Sequence, residues 1–208
     1  MKIYLMTSGE WKLFEITNDS IELKNRNISI SAKARVGVGA RVGDRARVGD
    51  GARVGDGARV GDRARVGDWA RVGDWARVGD RARVEVGARV EVGAIVGVGA
   101  RVGDRARVGD WARVGDWARV GVGARVGDGA IVGDRAIVGV GDCIVMGPLG
   151  SRNAMLTVYR SGGELYAGTG CYIGPIDDFK KRVVEVHKDS IHAQRYLAAV
   201  AFAMAIFK

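Results

Sequence analysis

The chain has 208 residues, 47% of them hydrophobic, and a formal charge of +9 from 33 Lys and Arg against 24 Asp and Glu. That length holds one large domain, or a solenoid with appendages, around a substantial core. The two cysteines, Cys143 and Cys171, are too few for a disulfide framework, and the positive balance favours acidic partners such as nucleic acid, anionic glycans or lipid surfaces.

Residues 1–30 read as an N-terminal β cap. Lys2–Met6, Trp11–Ile16 and Ser20–Lys24 alternate well enough for three short strands, with turns at Ser8-Gly9 and Asn18-Asp19. The first six residues lack the apolar run of a signal peptide, so the chain reads as intracellular.

Residues 31–146 follow a six-residue pulse. An aliphatic residue recurs at Ile30, Val36, Val42 and every sixth position through Val138 to Ile144, with an alanine two residues before each valine. Glycine follows the valine except where Glu85 and Glu91 stand. A period of six matches neither a helix nor a simple alternating hairpin. It is the mark of stacked units that cannot bury an apolar face alone. Ala and Val, two apart, share one side of a short extended segment, and the Arg between them points the other way. The glycine is expected to supply positive φ at a corner, and Asp-Gly, Asp-Arg or Asp-Trp to complete the turn.

The Val-Gly-Asp-Xaa-Ala-Arg unit resembles the hexapeptide repeat of left-handed parallel β-helices. The resemblance, rather than the period, implies the handedness and a triangular coil of three hexads. Residues eighteen apart then stack at the ~4.8 Å strand spacing, and about six coils make a prism roughly 30 Å long. On that stack Trp75 and Trp111 share a corner column with Gly93 between them, while Trp69 and Trp117 fall in the other two columns. Arg35, Arg53, Arg71, Arg89, Arg107 and Arg125 form one ladder; Ile95 and Ile131 interrupt a second, and Ile137 ends the third. Val86, Val92, Val98, Val122 and Val140 replace the turn Asp and make some corners apolar. Stacked arginines repel unless carboxylates, bound anions or a partner intervene. Three readings stay open: a basic, aromatic surface for an anionic polymer through Trp69, Trp75, Trp111, Trp117, Arg53, Arg71, Arg89 and Arg107; Trp covering Gly corners while Arg–Asp pairs keep the prism soluble; and apolar corners that pack prisms into an oligomer, a trimer among the candidates.

Residues 147–208 read as a second cap. Gly147–Ser151 looks like a linker, Met155–Arg160 and Glu164–Ile173 like a hairpin turning at Ser161-Gly162-Gly163. Asp177 or Asp178 can cap a helix to about Lys188, and Asp189 or Ser190 a second from Ile191 to Phe207. The apolar run Leu197–Phe207 is too short to span a bilayer, so no membrane partner is expected. Gly150-Ser151-Arg152-Asn153, Gly170-Cys171, Asp177-Asp178-Phe179 and Val186-His187, with Trp11–Thr17 and Ile28–Ser31 at the other end, are similar to uncharacterised hexapeptide-repeat proteins of bacteriophages and prophages. That resemblance implies a viral or prophage origin, in the host cytoplasm or on the virion, and carries no activity with it.

Enzymes of this repeat class are, as the resemblance implies, chiefly acyltransferases with a histidine base and carbonic anhydrases with three zinc-binding histidines. From Ala34 to Val145 the chain has no His, Ser, Thr, Lys, Asn or Gln, and its only histidines are His187 and His192. Glu85 and Glu91 fall on successive corners and so do not form a catalytic carboxylate pair. The sequence therefore predicts a mainly β fold, a left-handed parallel β-helix capped at both ends, acting as a non-enzymatic structural or binding module. Catalytic residues, metal and cofactor are expected to be none. Divergent acyl transfer through His187 or His192 and anionic-polymer binding through the Arg ladders are the alternatives.

Overall fold

The computed structural model describes residues 2–7, 10–15, 21–150, 152–170 and 172–207. Strands β1 (Lys2–Thr7) and β2 (Glu10–Glu15) form an antiparallel hairpin, followed by helix α1 (Ile21–Asn25). Two-residue strands then recur from β3 (Ser29–Ile30) to β21 (Ile137–Val138), each an Arg-Val or Ile-Val pair after the first. Each pairs in parallel with the repeat strand eighteen residues on, where one follows: Arg53 with Arg71, Val54 with Val72, Arg71 with Arg89. Three sheets result, named here by their first repeat arginine: Arg35, Arg41 and Arg47. The fold is the expected parallel β-solenoid of about six turns.

The alternation within each hexad sorts it into core and solvent. From Ala40 on, the alanines and the strand valines of the array are buried, most at 0–3% exposure, while the intervening arginines are outside and the corner valines such as Val122 are exposed. Each valine so buried contributes about 1.5–3 kcal/mol relative to exposure. The alanines from Ala40 to Ala130 are fully buried in the prism core, where a larger side chain would overpack.

The corners are four-residue turns in which the alanine N–H donates to the glycine carbonyl, as from Ala64 to Gly61 at 3.2 Å. The third turn residue carries the positive φ: Gly39, Gly51 and Gly57, but also Arg45, Arg63, Trp69, Trp75, Trp111 and Trp117 at φ of 58–61°. This is the type II pattern. The glycine after the valine therefore has a different duty from the one expected. A Cβ on Gly37 would overlap the Asp56 carboxylate and come within 2.6 Å of the Asp56 nitrogen. Close approach between coils, not positive φ, demands glycine there.

At the N-terminal end β1 continues the Arg41 sheet, Tyr4 pairing with Arg41 and its N–H reaching the Ala40 carbonyl at 2.8 Å. Of the expected strand over Ser20–Lys24, Ile21–Lys24 is instead part of α1, and Ser20 lies outside the described residues. The Ile28 N–H donates to the Leu23 carbonyl and the Asn27 N–H to that of Lys24, with Asn27 at φ 52°. That is a Schellman closure, and it turns the chain into the first coil with Leu23 and Ile28 buried together. Five residues are too few to separate a helical period from alternation. The turns expected at Ser8-Gly9 and Asn18-Asp19 lie outside the described residues.

At the other end β22 (Cys143–Leu149), β23 (Ala154–Ser161), β24 (Glu164–Thr169) and β25 (Tyr172–Pro175) make an antiparallel sheet. Gly147–Leu149, expected as linker, ends β22 and pairs back on β23 across a register shift. Ile144 is in phase with the array but packs with the second core, while Cys143 and Val145 touch the prism. The valine column thus ends at Val138, because a strand continuing past the corner sends alternate residues to opposite faces. Gly162 and Gly163, at φ 61° and 88°, make the two-residue hairpin loop.

Helices α2 (Ile176–His187) and α3 (Ile191–Ile206) cover the outer face of this sheet, burying Phe179, Val183, Tyr196 and Val200. Pro175, not Asp177 or Asp178, is the N-cap of α2; those aspartates pair with Lys180 at 3.3 Å and Lys181 at 3.1 Å. Ser190 caps α3 as expected, accepting from the Ala193 N–H at 3.4 Å.

Candidate functional site

Parallel coils leave N–H donors unpaired at the last turn, and the cap supplies their acceptors. In β23, Thr157 Oγ1 accepts from the Ile131 N–H at 2.8 Å, Tyr159 Oη from Gly133 at 3.1 Å and Ser161 Oγ from Ile137 at 2.8 Å. Leu156 and Val158, which alternate with Thr157 and Tyr159, belong to the helical core. Burial pushes the Tyr159 phenol above its ordinary pKa, against the lowering effect of the Gly133 N–H. Burial likewise raises the Cys143 thiol to about 11. These groups are structural: they end a solenoid without exposing an edge.

Along the corners the turn aspartates are also committed to backbone. Asp56 Oδ1 accepts from the Val38 N–H at 2.7 Å, and the same bond recurs eighteen residues apart at Asp62, Asp68, Asp74 and Asp80. The expected Arg–Asp pairing is therefore not what these carboxylates do. Between Arg45 and Arg135 the ion pairs among the described residues are Arg101–Glu85 at 2.9 Å and Arg107–Glu91 at 3.0 Å. They lie on the Arg47 and Arg35 sheets respectively, so the two glutamates serve different faces.

The repeats of the Arg41 sheet carry no such glutamate. Their outward row runs Arg41, Arg59, Arg77, Ile95, Arg113 and Ile131, and among the described residues no carboxylate lies within ion-pair distance of Arg59, Arg77 or Arg113. Partial desolvation, and then repulsion from Arg41 and Arg77, lowers the pKa of Arg59. A groove of about 840 Å³ runs along this row. Tyr4 closes one end, with the Arg41 guanidinium 6.0 Å from its ring centroid. Trp75 and Trp111 form the side wall from the corner that enters the sheet.

Each tryptophan of the array stands eighteen residues after a glycine. A Cβ added to Gly57 would lie 2.7, 2.8 and 2.9 Å from three consecutive ring atoms of Trp75, so the indole lies face-on over the glycine. Trp111 over Gly93, Trp69 over Gly51 and Trp117 over Gly99 repeat the arrangement. The other ring face is open: Trp69, Trp75 and Trp111 are 68% exposed and Trp117 53%. Covering of Gly corners is thus the structural half of their role.

Trp75 and Trp111 share the groove, whereas Trp69 and Trp117 occupy the other two edges. Arg53, Arg71, Arg89 and Arg107 form the row on the Arg35 sheet, with Glu91 facing Arg107. The structure therefore does not place those four arginines with Trp75 and Trp111. The groove residues Arg59, Arg77 and Arg113 were outside the sequence-derived set. The signal that could have found them was in the sequence: theirs is the ladder without a neighbouring glutamate corner.

His187 and His192 lie in the helical cap, ring centroids 6.0 Å apart, with Tyr196 5.8 Å from His187. Among the described residues no group of three His, Cys, Asp or Glu could hold a metal ion. No described helix is long and apolar enough to cross a membrane.

The fold defines the class: a hexapeptide-repeat parallel β-helix with a cap at each end. No protein-family model matches the sequence, and no curated protein matches it. Among solved structures the chain is similar to a point mutant of AntD, an N-acyltransferase from Bacillus cereus in complex with dTDP and coenzyme A, at TM-score 0.50 and 14% identity, over 57% of this chain and 82% of that one. A hexapeptide transferase family protein from Anaplasma phagocytophilum matches at TM-score 0.32 and 17% identity, over 66% and 78%. The acetyltransferase domain of PglB from Neisseria gonorrhoeae matches at TM-score 0.32 and 23% identity over 54% of this chain, which spans about half, 51%, of that chain.

Proposed function

We propose that the protein is a rigid, non-enzymatic binding module whose Arg41 sheet holds an anionic linear polymer. The observation that carries this reading is the row Arg59, Arg77 and Arg113, which lines one groove with Trp75 and Trp111 and has no carboxylate partner among the described residues, whereas each neighbouring face has one paired arginine, Arg101 with Glu85 and Arg107 with Glu91. Like charges stacked at ~4.8 Å without compensation are relieved by a bound polyanion, which releases counterions as it binds. Dextran sulfate titrated at several salt concentrations is the test. The wild type is expected to lose affinity steeply with salt, and Arg59→Ala with Arg77→Ala to flatten the slope by about two. An unchanged slope in that double variant removes the reading.

Self-association belongs to the same proposal. Val86, Val122 and Val140 are 48%, 66% and 73% exposed on one edge, the edge that also bears Trp69. Analytical ultracentrifugation of Val122→Asp beside the wild type tests it: an oligomer that dissociates supports the edge, and one that persists excludes it. The resemblance of the terminal segments to phage and prophage proteins supports a viral origin for such a module.

The second reading is acyl transfer, favoured by the fold shared with AntD, whose solved complex contains coenzyme A. His187 and His192 are this chain's only imidazoles, so one of them would have to serve as base. Acetyl-CoA turnover abolished by His187→Ala or His192→Ala supports it; absence of turnover across an amine and sugar panel removes it.

A further inference from the structure

The groove repeats chemically as well as sterically. Trp75-Ala76-Arg77 and Trp111-Ala112-Arg113 are the same tripeptide two coils apart, and the stacked register makes their geometries translationally equivalent. Two coils at the ~4.8 Å strand spacing set the indoles ~9.6 Å apart along the groove. Between them Gly93 and Ile95 leave a step with neither an aromatic nor a charge.

A ligand matched to this frame has its own repeat of two units, one apolar face and one anion per repeat. Single-stranded nucleic acid is a poorer match, because its recognition stacks successive bases on successive aromatics, and here every second platform is missing. Two sugar rings span about two coils, and the C–H face of a pyranose lies flat on an indole whose other face is already seated on Gly57 or Gly93. We propose that this edge binds an acidic polysaccharide with a disaccharide repeat, one sugar of each repeat stacking on Trp75 and Trp111 and a uronate or sulfate of each repeat pairing with Arg77 and Arg113. The inference rests on the anionic-polymer reading of the same groove and adds the class of polymer.

The experiment uses the full chain with hyaluronan and chondroitin sulfate oligosaccharides of two to ten sugars, and single-stranded oligonucleotides of matching charge. Binding is read by calorimetry and by the indole N–H resonances. Affinity is expected to rise sharply once the saccharide is long enough to reach both indoles, and only the Trp75 and Trp111 resonances to shift. Trp75→Ala and Trp111→Ala should each weaken saccharide binding about tenfold. Trp117→Ala removes the same packing over Gly99 on an edge used by neither the groove nor the self-association surface, so it controls for stability and should leave binding unchanged. Response to carboxylated hyaluronan or only to the sulfated saccharide distinguishes the two anions. Oligonucleotides binding more tightly than any saccharide, or saccharide binding indifferent to both groove tryptophans, overturns the polysaccharide assignment and leaves the anionic groove standing. If neither polymer class nor dextran sulfate binds, both readings fall.

Discussion

The phenolic oxygen of Tyr159 accepts the Gly133 N–H at 3.1 Å inside the end of the prism, where Tyr159 is 1% exposed. Tyr159→Phe keeps the ring and leaves that donor buried without a partner, at a cost of about 1–3 kcal/mol. Thr157→Val does the same to the Ile131 N–H. Both variants are expected to unfold several degrees below wild type in thermal melts, and both should speed amide exchange in the last coil first.

The turn ladder predicts a stabilising change. The Asp56 N–H finds its acceptor in Asp74, at 2.9 Å, but the acceptor position for the Asp74 N–H is occupied by Val92. Val92→Asp restores the missing bond on a half-exposed corner, a gain of about 0.5–1.5 kcal/mol. A higher melting temperature checks it; Asp74→Ala should move the other way.

Glycine after the valine is a steric requirement, so its replacement should be costly without any positive φ. A Cβ on Gly61 would come within 2.6 Å of the Asp80 nitrogen and 2.8 Å of the Gly79 carbonyl carbon. Gly61→Ala is expected to destabilise by about 1–3 kcal/mol through overpacking. Of the chain's own two exceptions, the bond from the Val86 N–H to Asp104 after Glu85 is 3.2 Å, while that from the Val92 N–H to Asp110 after Glu91 is 3.0 Å, the same as at Gly109. Equal melting temperatures for Gly61→Ala and wild type would refute this account.

Alkaline pH should loosen the C-terminal end. Burial raises the folded Cys143 thiol to about 11, from an ordinary value of 9.0. Because the unfolded thiol ionises first, the stability tied to the neutral group is complete below the unfolded pKa. It is lost as pH rises toward the folded one, by about 2–3 kcal/mol at most. Burial moves Tyr159 in the same direction at higher pH. Melting temperature should therefore fall between about pH 9 and 11, and less steeply in Cys143→Ala.

The gap in the groove can be filled. Ile95 pairs with Arg77 below and Arg113 above, so Ile95→Arg completes the cation row. Polyanion affinity at low salt should rise and the salt slope steepen by about one. An unaltered slope would place the polymer on another face.

The six-residue period by itself determined the solenoid, the burial, from Ala40 on, of each strand valine and of the alanine two residues before it, and the outward row of arginines, because alternation reports directly which side of a strand a residue takes. The eighteen-residue stack also put each tryptophan over a glycine, from Trp69 on Gly51 to Trp117 on Gly99. Which arginines share a groove with which indoles was decided only in three dimensions. A corner residue borders two sheets, and Trp75 and Trp111 line the groove over the Arg41 row rather than the row containing Arg53 and Arg71. Tertiary contact likewise decided that the turn aspartates from Asp56 to Asp80 hold backbone N–H groups of the preceding coil rather than arginines. It also turned Thr157, Tyr159 and Ser161 into the acceptors that close the prism. Their alternation was visible in the chain, but the unpaired donors that give it meaning belong to residues 131–137, and only folding brings the two together.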